Sequence, residues 1–334
     1  MTLLHRRCPT MVLGATVVAA VLALGCAPAE DQHRSNGQAE PGLATTAPTI
    51  EELSTATFEG IFNHPITLVD GSWRGQPAVK GGASRPTVDL VPDLYLTGDL
   101  DGDGRKEAIV LLAESSGGSG TRLYLAAAAR LNGQISDRGT VLIGDRVQVR
   151  AARLDGDRII LDLLQAGPGD ALCCPTQKAR KSWKLEQEGL TPQATEVTGT
   201  FTLADLDGSN WRLAEIGKSE PAPPQPEISL RFEGDKVVGN AGCNRYFGGV
   251  TDGETAGSIV FSAMGATRMA CPEKVMTLES RYLGALAETS HFQFSGGQLV
   301  LTGGPESVSS RLVFKPFDPE PSMAAASDGE TIGY

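Results

Sequence analysis

Histidine, aromatic residues and net positive charge are all in short supply in this sequence. Of its four histidines, His5 and His33 precede any folded part, which leaves His64 and His291. No histidine pair has metal-ligand spacing. Aromatic residues make up 5% of the chain and the formal net charge is −11. Nucleic-acid binding needs a basic stripe and stacking platforms, so no nucleic-acid partner is expected. Catalytic signatures are missing too. There is no Walker loop and no dinucleotide fingerprint. Ser119 lies in a glycine hairpin, with Thr121 where a nucleophile elbow needs its last glycine. Long apolar runs are also lacking: Met11–Leu24 is too short to cross a bilayer comfortably.

What is present begins with an address. Arg6 and Arg7 precede the run Met11–Leu24, the layout of a signal peptide over residues 1–25. Its end, Leu22-Ala23-Leu24-Gly25-Cys26, resembles a lipobox, although Ala23 holds the place usually taken by leucine. The resemblance implies cleavage before Cys26 and lipidation of that cysteine. A multiply acylated cysteine anchors a protein stably without a transmembrane helix. Ala27 follows Cys26 rather than aspartate, which by the same resemblance implies the outer membrane, facing the periplasm. Removing residues 1–25 takes two arginines and no acid, so the exported chain carries a charge near −13. Residues 26–48 are polar and rich in Pro, Gly, Ser and Thr. They cannot bury a core and read as a disordered tether.

Residues 49–190 read as an antiparallel β domain, a sandwich or a curled sheet. Thr49 with Glu51 and Glu52 predicts a short helix to about Phe58. Strands are expected at Ile66–Val69, Val88–Leu96, Ala108–Ala113, Arg122–Ala129, Val141–Ile143, Val147–Leu154, Arg158–Leu164 and Ser182–Leu185. Gly117-Gly118-Ser119-Gly120, Asn132-Gly133 and Asp155-Gly156 supply the turns. Pro92 demotes the second strand to an edge or splits it. Lys178, Arg180, Lys181 and Lys184 form a basic run that suits a solvated edge strand. Contact with anionic lipid headgroups is the other reading. A connection is expected over Thr191–Asp205.

The stretch Gly239–Gly248, GNAGCNRYFG, organises the remainder. So many glycines mark a bulged, tight turn, and Asn240 and Asn244 tolerate left-handed dihedrals. It follows a hairpin of Ile228–Phe232 and Lys236–Val238 that turns at Glu233-Gly234-Asp235. Downstream, Pro272 suits the first position of a helix. Val275, Leu278, Tyr282, Leu283 and Leu286 recur at helical spacing over Glu273–Glu288. Four cysteines in the body allow three pairings. The favoured set is Cys243–Cys271, pinning the helix start to the glycine turn, with Cys173–Cys174. A vicinal bond between neighbours is strained, so Cys173 and Cys174 are alternatively bonded elsewhere or form a redox or soft-metal site.

Asn210-Trp211-Arg212-Leu213, then GNAGCNRYFG, then Thr267-Arg268-Met269-Ala270-Cys271-Pro272 with Met276 and Glu279, resemble the META domain. This is the HslJ-like family of bacterial envelope proteins. The resemblance covers about residues 206–316, with motif residues Trp211, Gly239, Gly242, Asn244, Thr267, Met269, Pro272 and Glu279. It implies a small antiparallel β domain with one packed helix. It also implies links to heat shock, novobiocin resistance and secreted virulence-associated proteins, and no established catalysis. The whole chain is then mostly β with minor α, an α+β arrangement, closed by a disordered tail at 317–334.

One stretch carries ligand chemistry. Asp99, Asp101, Asp103 and Glu107 place carboxylates at alternate positions around Gly102 and Gly104, as in a loop that wraps Ca²⁺. Val110 stands at the twelfth position, so this is no full EF-hand. It resembles the short calcium loops of FG-GAP-type repeats, in one copy. The competing reading is a polar hairpin turn.

These features favour a non-enzymatic, lipid-tethered envelope protein serving stress resistance or drug tolerance through a partner or ligand in the envelope. An inhibitor or ligand-binding module for a secreted hydrolase is the alternative, which an exposed apolar or aromatic patch around Tyr246 and Phe247 would favour. A Ca²⁺-binding envelope protein is another.

Overall fold

The computed structural model describes residues 45–77, 81–118, 120–171, 174–303 and 310–317. All fall in one compact unit, Glu40–Tyr334. The expected signal segment, Cys26, most of the tether, Cys173 and the tail from residue 318 lie outside the described residues.

The described chain opens with one helical turn, α1 (Ile50–Leu53), and a short hairpin of β1 (Thr57–Phe58) and β2 (Ile66–Thr67). Thr49 is the expected N-cap, and its side chain and Glu52 cap one another reciprocally. The helix does not reach Phe58. Ser54 Oγ donates to Glu51 O at 2.6 Å and Thr55 Oγ1 donates to Glu52 O at 3.1 Å. These hydroxyls satisfy the last carbonyls and end the helix after a single turn. That frees Phe58 to enter a strand and a core.

A five-stranded antiparallel meander follows: β3 (Ser72–Arg74), β4 (Thr87–Gly98), β5 (Glu107–Ser115), β6 (Arg122–Leu131) and β7 (Gln134–Asp145). A second five-stranded sheet holds β8 (Gln148–Asp155), β9 (Arg158–Gln165), β10 (Gln177–Glu186), β11 (Gly189–Pro192) and β12 (Glu196–Thr200). The two sheets face each other across Leu94, Leu111, Leu125, Ile143, Leu161 and Trp183. This is the sandwich rather than the curled sheet.

The first sheet is covered on both faces, which explains its unbroken apolar strands. Along β5, Ile109 and Leu111 point into the sandwich, while Ala108, Val110 and Leu112 meet Leu53, Phe58, Ile66 and Leu68 of the N-terminal layer. In β6 the alternation repeats, with Leu123, Leu125 and Ala127 on one side and Tyr124, Ala126 and Ala128 on the other. Each large apolar side chain buried in that layer contributes about 1.5–3 kcal/mol.

Several boundaries move. Pro92 lies at a bulge where the β4–β5 register shifts between Val91 and Tyr95. Strand β3 covers only Thr87–Asp89 of the other side of β4, so the proline faces no partner there. The basic run is on β10, which is not an edge: β9 pairs with one side, and β11 and β12 share the other. Its cations are engaged, Lys178 with Asp205, Arg180 with Asp162, Lys184 with Asp157 and Lys181 Nζ with Ile143 O. The expected connection after Leu190 is largely strand, because β11 runs to Pro192 and β12 occupies Glu196–Thr200. The end of the expected tether is held as well. Pro48 O accepts from Tyr95 Oη at 2.9 Å, and Thr45 O accepts from the Lys106 N–H at 3.2 Å. At the other end, Phe317 N–H donates to Asn210 O at 3.1 Å and its ring lies under Arg212.

A 3-10 turn (Leu203–Leu206) leads to the last sheet. Its strands are β13 (Asn210–Ile216), β14 (Glu220–Pro221), β15 (Ser229–Glu233), β16 (Lys236–Asn240), β17 (Arg245–Asp252), β18 (Ile259–Phe261) and β19 (Gly265–Ala266). Helix α2 (Glu273–Ala287) precedes β20 (His291–Ser295), β21 (Gln298–Thr302) and β22 (Leu312–Pro316). The main order is β18-β17-β16-β15-β13-β22-β21-β20. Its ends meet: Ser258 bridges His291, Ile259 N–H donates to Ser290 O and Phe292 N–H donates to Gly257 O. The sheet thus curls back on itself and leaves few open edges. Helix α2 spans almost the residues expected, but Pro272 is its N-cap rather than its first helical residue.

Gly239 is required by a close approach. A Cβ there would lie 2.0 Å from Ser229 O and 2.7 Å from Tyr246 Cε1. Gly239→Ala is expected to destabilise the fold by about 2–4 kcal/mol, read as a lower urea midpoint at unchanged slope. A shift under about 1 kcal/mol would mean that the sheet yields at this point.

Candidate functional site

Two sites collect the residues singled out by sequence. The first is the corner between β16 and β17. Strand pairing ends at Asn240 and Arg245, and the chain turns through Ala241–Asn244. Gly242 takes a φ of +112°, a conformation costly for other residues. Asn240 and Asn244 do not share it. They act through their side chains: Asn240 Oδ1 accepts the Gly242 N–H at 2.8 Å, an Asx turn.

Helix α2 presents Glu279 beneath this turn. The residue is 6% exposed. Its Oε2 accepts the backbone N–H groups of Cys243 at 3.2 Å and Asn244 at 2.7 Å, and its Oε1 accepts from Asn244 Nδ2 at 2.8 Å. Asn244 Oδ1 in turn accepts from Thr267 Oγ1 at 2.8 Å and from the Met269 N–H at 2.7 Å. Cys243 and Cys271 close the corner as a disulfide, with Cα atoms 6.0 Å apart. Behind it, Tyr246 Oη donates to Ser229 O at 3.0 Å and meets Tyr282 Oη at 2.7 Å. Burial raises both phenols above the usual tyrosine range.

Gly242, Asn244, Thr267, Met269, Pro272 and Glu279 are therefore brought together around the disulfide. Trp211 is not part of that cluster. It is buried in the core of the same sheet, its indole N–H donating to Ser209 Oγ at 2.7 Å. Gly239 serves the Tyr246 approach. Tyr246 is 2% exposed, against 62% for Phe247, so the apolar patch expected around both residues retains only Phe247.

The second site is the loop between β4 and β5. Carboxylate oxygens of Asp99, Asp101 and Glu107 lie within 4.8 Å of one another. Asp103 does not join them; its carboxylate pairs with Arg105. Asp99 accepts from the N–H groups of Gly102 and Gly104, which shapes the loop. Glu107 is fully buried, and burial raises its carboxyl above the usual range, opposed by its hydrogen bond with Leu100 N–H. Arg138 of β7 reaches in, its Nη2 donating to Asp101 Oδ2 at 2.8 Å. Sequence could not place Arg138 here, since it belongs to a strand two hairpins away.

Cys174 is disulfide-bonded; its expected neighbour Cys173 lies outside the described residues. A cleft of about 960 Å³ also opens where the sandwich meets the closed sheet, lined among others by Thr176, Phe201, Asp252, His291 and Phe294. No single motif announces it, because its walls come from strands throughout the chain.

A closed β sheet carrying one helix on a disulfide-pinned, carboxylate-braced corner defines the class of the C-terminal domain. Residues 204–316 match the sequence model of the META domain, and the C-terminal third of the chain is a META domain. The match starts after both sandwich sheets. No curated protein matches the chain. Among solved structures, "NMR structure of the protein from Burkholderia xenovorans" is 24% identical, covering 39% of this chain and 98% of that one, with a TM-score of 0.28.

Replacing both Cys243 and Cys271 by Ser is expected to cost about 3–4 kcal/mol, since the bond closes a loop with a sequence separation of 28. Urea denaturation of wild type and of the double variant, both under oxidising conditions that keep the Cys174 bond, checks the difference. Glu279→Gln keeps the shape but loses the charge that three donors share. A loss of about 2 kcal/mol with the disulfide intact is expected, and a neutral result would show that the carboxylate does not brace the corner.

Proposed function

We propose that this is an exported, lipid-anchored META-domain protein of the bacterial envelope, held at the outer membrane and facing the periplasm. In this reading it acts without catalysis, in envelope stress or drug tolerance, by binding a partner or ligand. The observation that carries it is the Cys243–Cys271 disulfide within a META domain, since such bonds persist in oxidising compartments. The signal-like segment ending at Cys26 agrees with that compartment.

Structural use of Glu279 supports the non-catalytic part. Both of its oxygens are committed to the corner, so it is poorly placed to exchange a proton with a substrate. The alternative, an inhibitor-like module for a secreted hydrolase, is weakened by the burial of Tyr246 and rests on exposed Phe247 alone.

In a bacterial host, the wild-type protein should fractionate with membranes and carry the added mass of acyl chains on Cys26. Cys26→Ser should leave an unacylated protein that is not retained by membranes. Recovery of wild type in the soluble fraction with an unmodified Cys26 would refute the anchor.

A further inference from the structure

We propose that the loop between β4 and β5 is a binding site for one Ca²⁺ ion, with Asp99, Asp101 and Glu107 as its carboxylate ligands. The inference concerns the sandwich domain and stands apart from the envelope role. Acidic turns are common on protein surfaces, so the three clustered carboxylates alone would not suffice. The deciding feature is Glu107. It is 0% exposed, and its Oε2 is used by the Leu100 N–H at 2.9 Å. Its Oε1 is buried with no hydrogen bond. The nearest cation, Arg138 Nη1, is 3.9 Å away, beyond hydrogen-bond reach. A buried carboxylate oxygen left without a donor is costly and needs a partner.

The charge balance specifies what that partner should be. Asp103 is neutralised by Arg105. Asp99, Asp101 and Glu107 then carry three negative charges against the single positive charge of Arg138. Two remain, the charge of one divalent ion. Carboxylate oxygens at the first, third and ninth positions of a loop, with Gly104 at the sixth, suit a hard cation that accepts irregular oxygen cages. Ca²⁺ does so, whereas Mg²⁺ demands a near-octahedral shell and sheds water reluctantly. Arg138 would act as the internal counter-ion when the metal is absent. It is joined to Asp101 by a hydrogen bond that Ca²⁺ competes for.

The site also adjoins the place where the N-terminal segment enters the fold. Lys106 N–H, next to ligand Glu107, donates to Thr45 O at 3.2 Å. Arg105 and Lys106 provide tryptic cleavage points within the same loop, so ion binding has a local readout.

The test uses the full chain, stripped with chelator and titrated calorimetrically with CaCl₂ and separately with MgCl₂. One Ca²⁺ per chain is expected, with a dissociation constant of roughly 0.1–1 mM, in the range of extracellular calcium modules. Ca²⁺ should also slow trypsin cleavage after Arg105 and Lys106, and chelator should restore it. Glu107→Gln should weaken binding by at least about tenfold. Because Glu107 is buried and its variant can misfold, Asp101→Asn at the exposed side of the cluster provides the second variant, with the same loss expected and folding checked by circular dichroism. The proposal is overturned by no heat and no protection at millimolar Ca²⁺, by Mg²⁺ binding as tightly as Ca²⁺, or by folded Asp101→Asn binding Ca²⁺ like wild type.

Discussion

The carboxylate of Glu279 is the contact on which the META domain depends. A turn such as Ala241–Asn244 exposes backbone N–H groups that its own strands cannot use. Glu279 accepts two of them from inside the protein, together with the Asn244 side-chain amide. Charge-assisted bonds of this kind are roughly twice as strong as neutral ones. They fix the turn to helix α2, and the disulfide fixes the same turn to the residue just before the N-cap of that helix. Asn244 extends the brace to Thr267 and Met269. The helix can then bury Tyr282, Ala285 and Leu286 against the curled sheet.

The sandwich and the META domain are joined by more than a linker. Phe294 N–H donates to Gln148 Oε1, and Gly297 N–H donates to Val149 O. Arg150 of β8 lies over Phe201 and Phe294 at 4.8 and 5.4 Å from their ring centres. Burial lowers its pKa, with the charges of Asp205 and Asp162 working the other way. Phe201 belongs to the segment between the domains, yet it is buried in the META core with Leu203 and Leu206. A guanidinium stacked on two rings suits such a half-buried seam, because it keeps part of its hydration while covering apolar surface.

The N-terminal layer shows a related economy. One sheet separates two apolar clusters, so each of its central strands stabilises two cores. Residues 45–48 join that layer through Ala47 and the Pro48 carbonyl. The polar composition of residues 26–48 suggested a free chain up to Pro48. Composition reports the average of a segment, whereas docking at its end depends on a few contacts made by Tyr95 and Lys106.

Local rules were enough wherever a residue's role is set by its near neighbours. The N-cap at Thr49, the longer strands β4 to β10 of the sandwich and helix α2 follow from spacing and backbone preference, and so does a turn at Gly234-Asp235, although Glu233, expected in that turn, ends its strand. So does the need for glycine at Gly242. The META motifs marked Cys243, Cys271 and Glu279 as parts of one unit. Local rules failed where the deciding partner is remote in sequence. The interior place of β10 depends on β11 and β12 returning to it. The burial of Tyr246 depends on Tyr282, and the approach of Arg138 to Asp101 depends on the register of β7. Periodicity and turn chemistry are properties of a short stretch of chain and can be read from it. Which strand becomes an edge, and which charge ends beside which carboxylate, is decided by long-range pairing that exists only once the chain has closed upon itself.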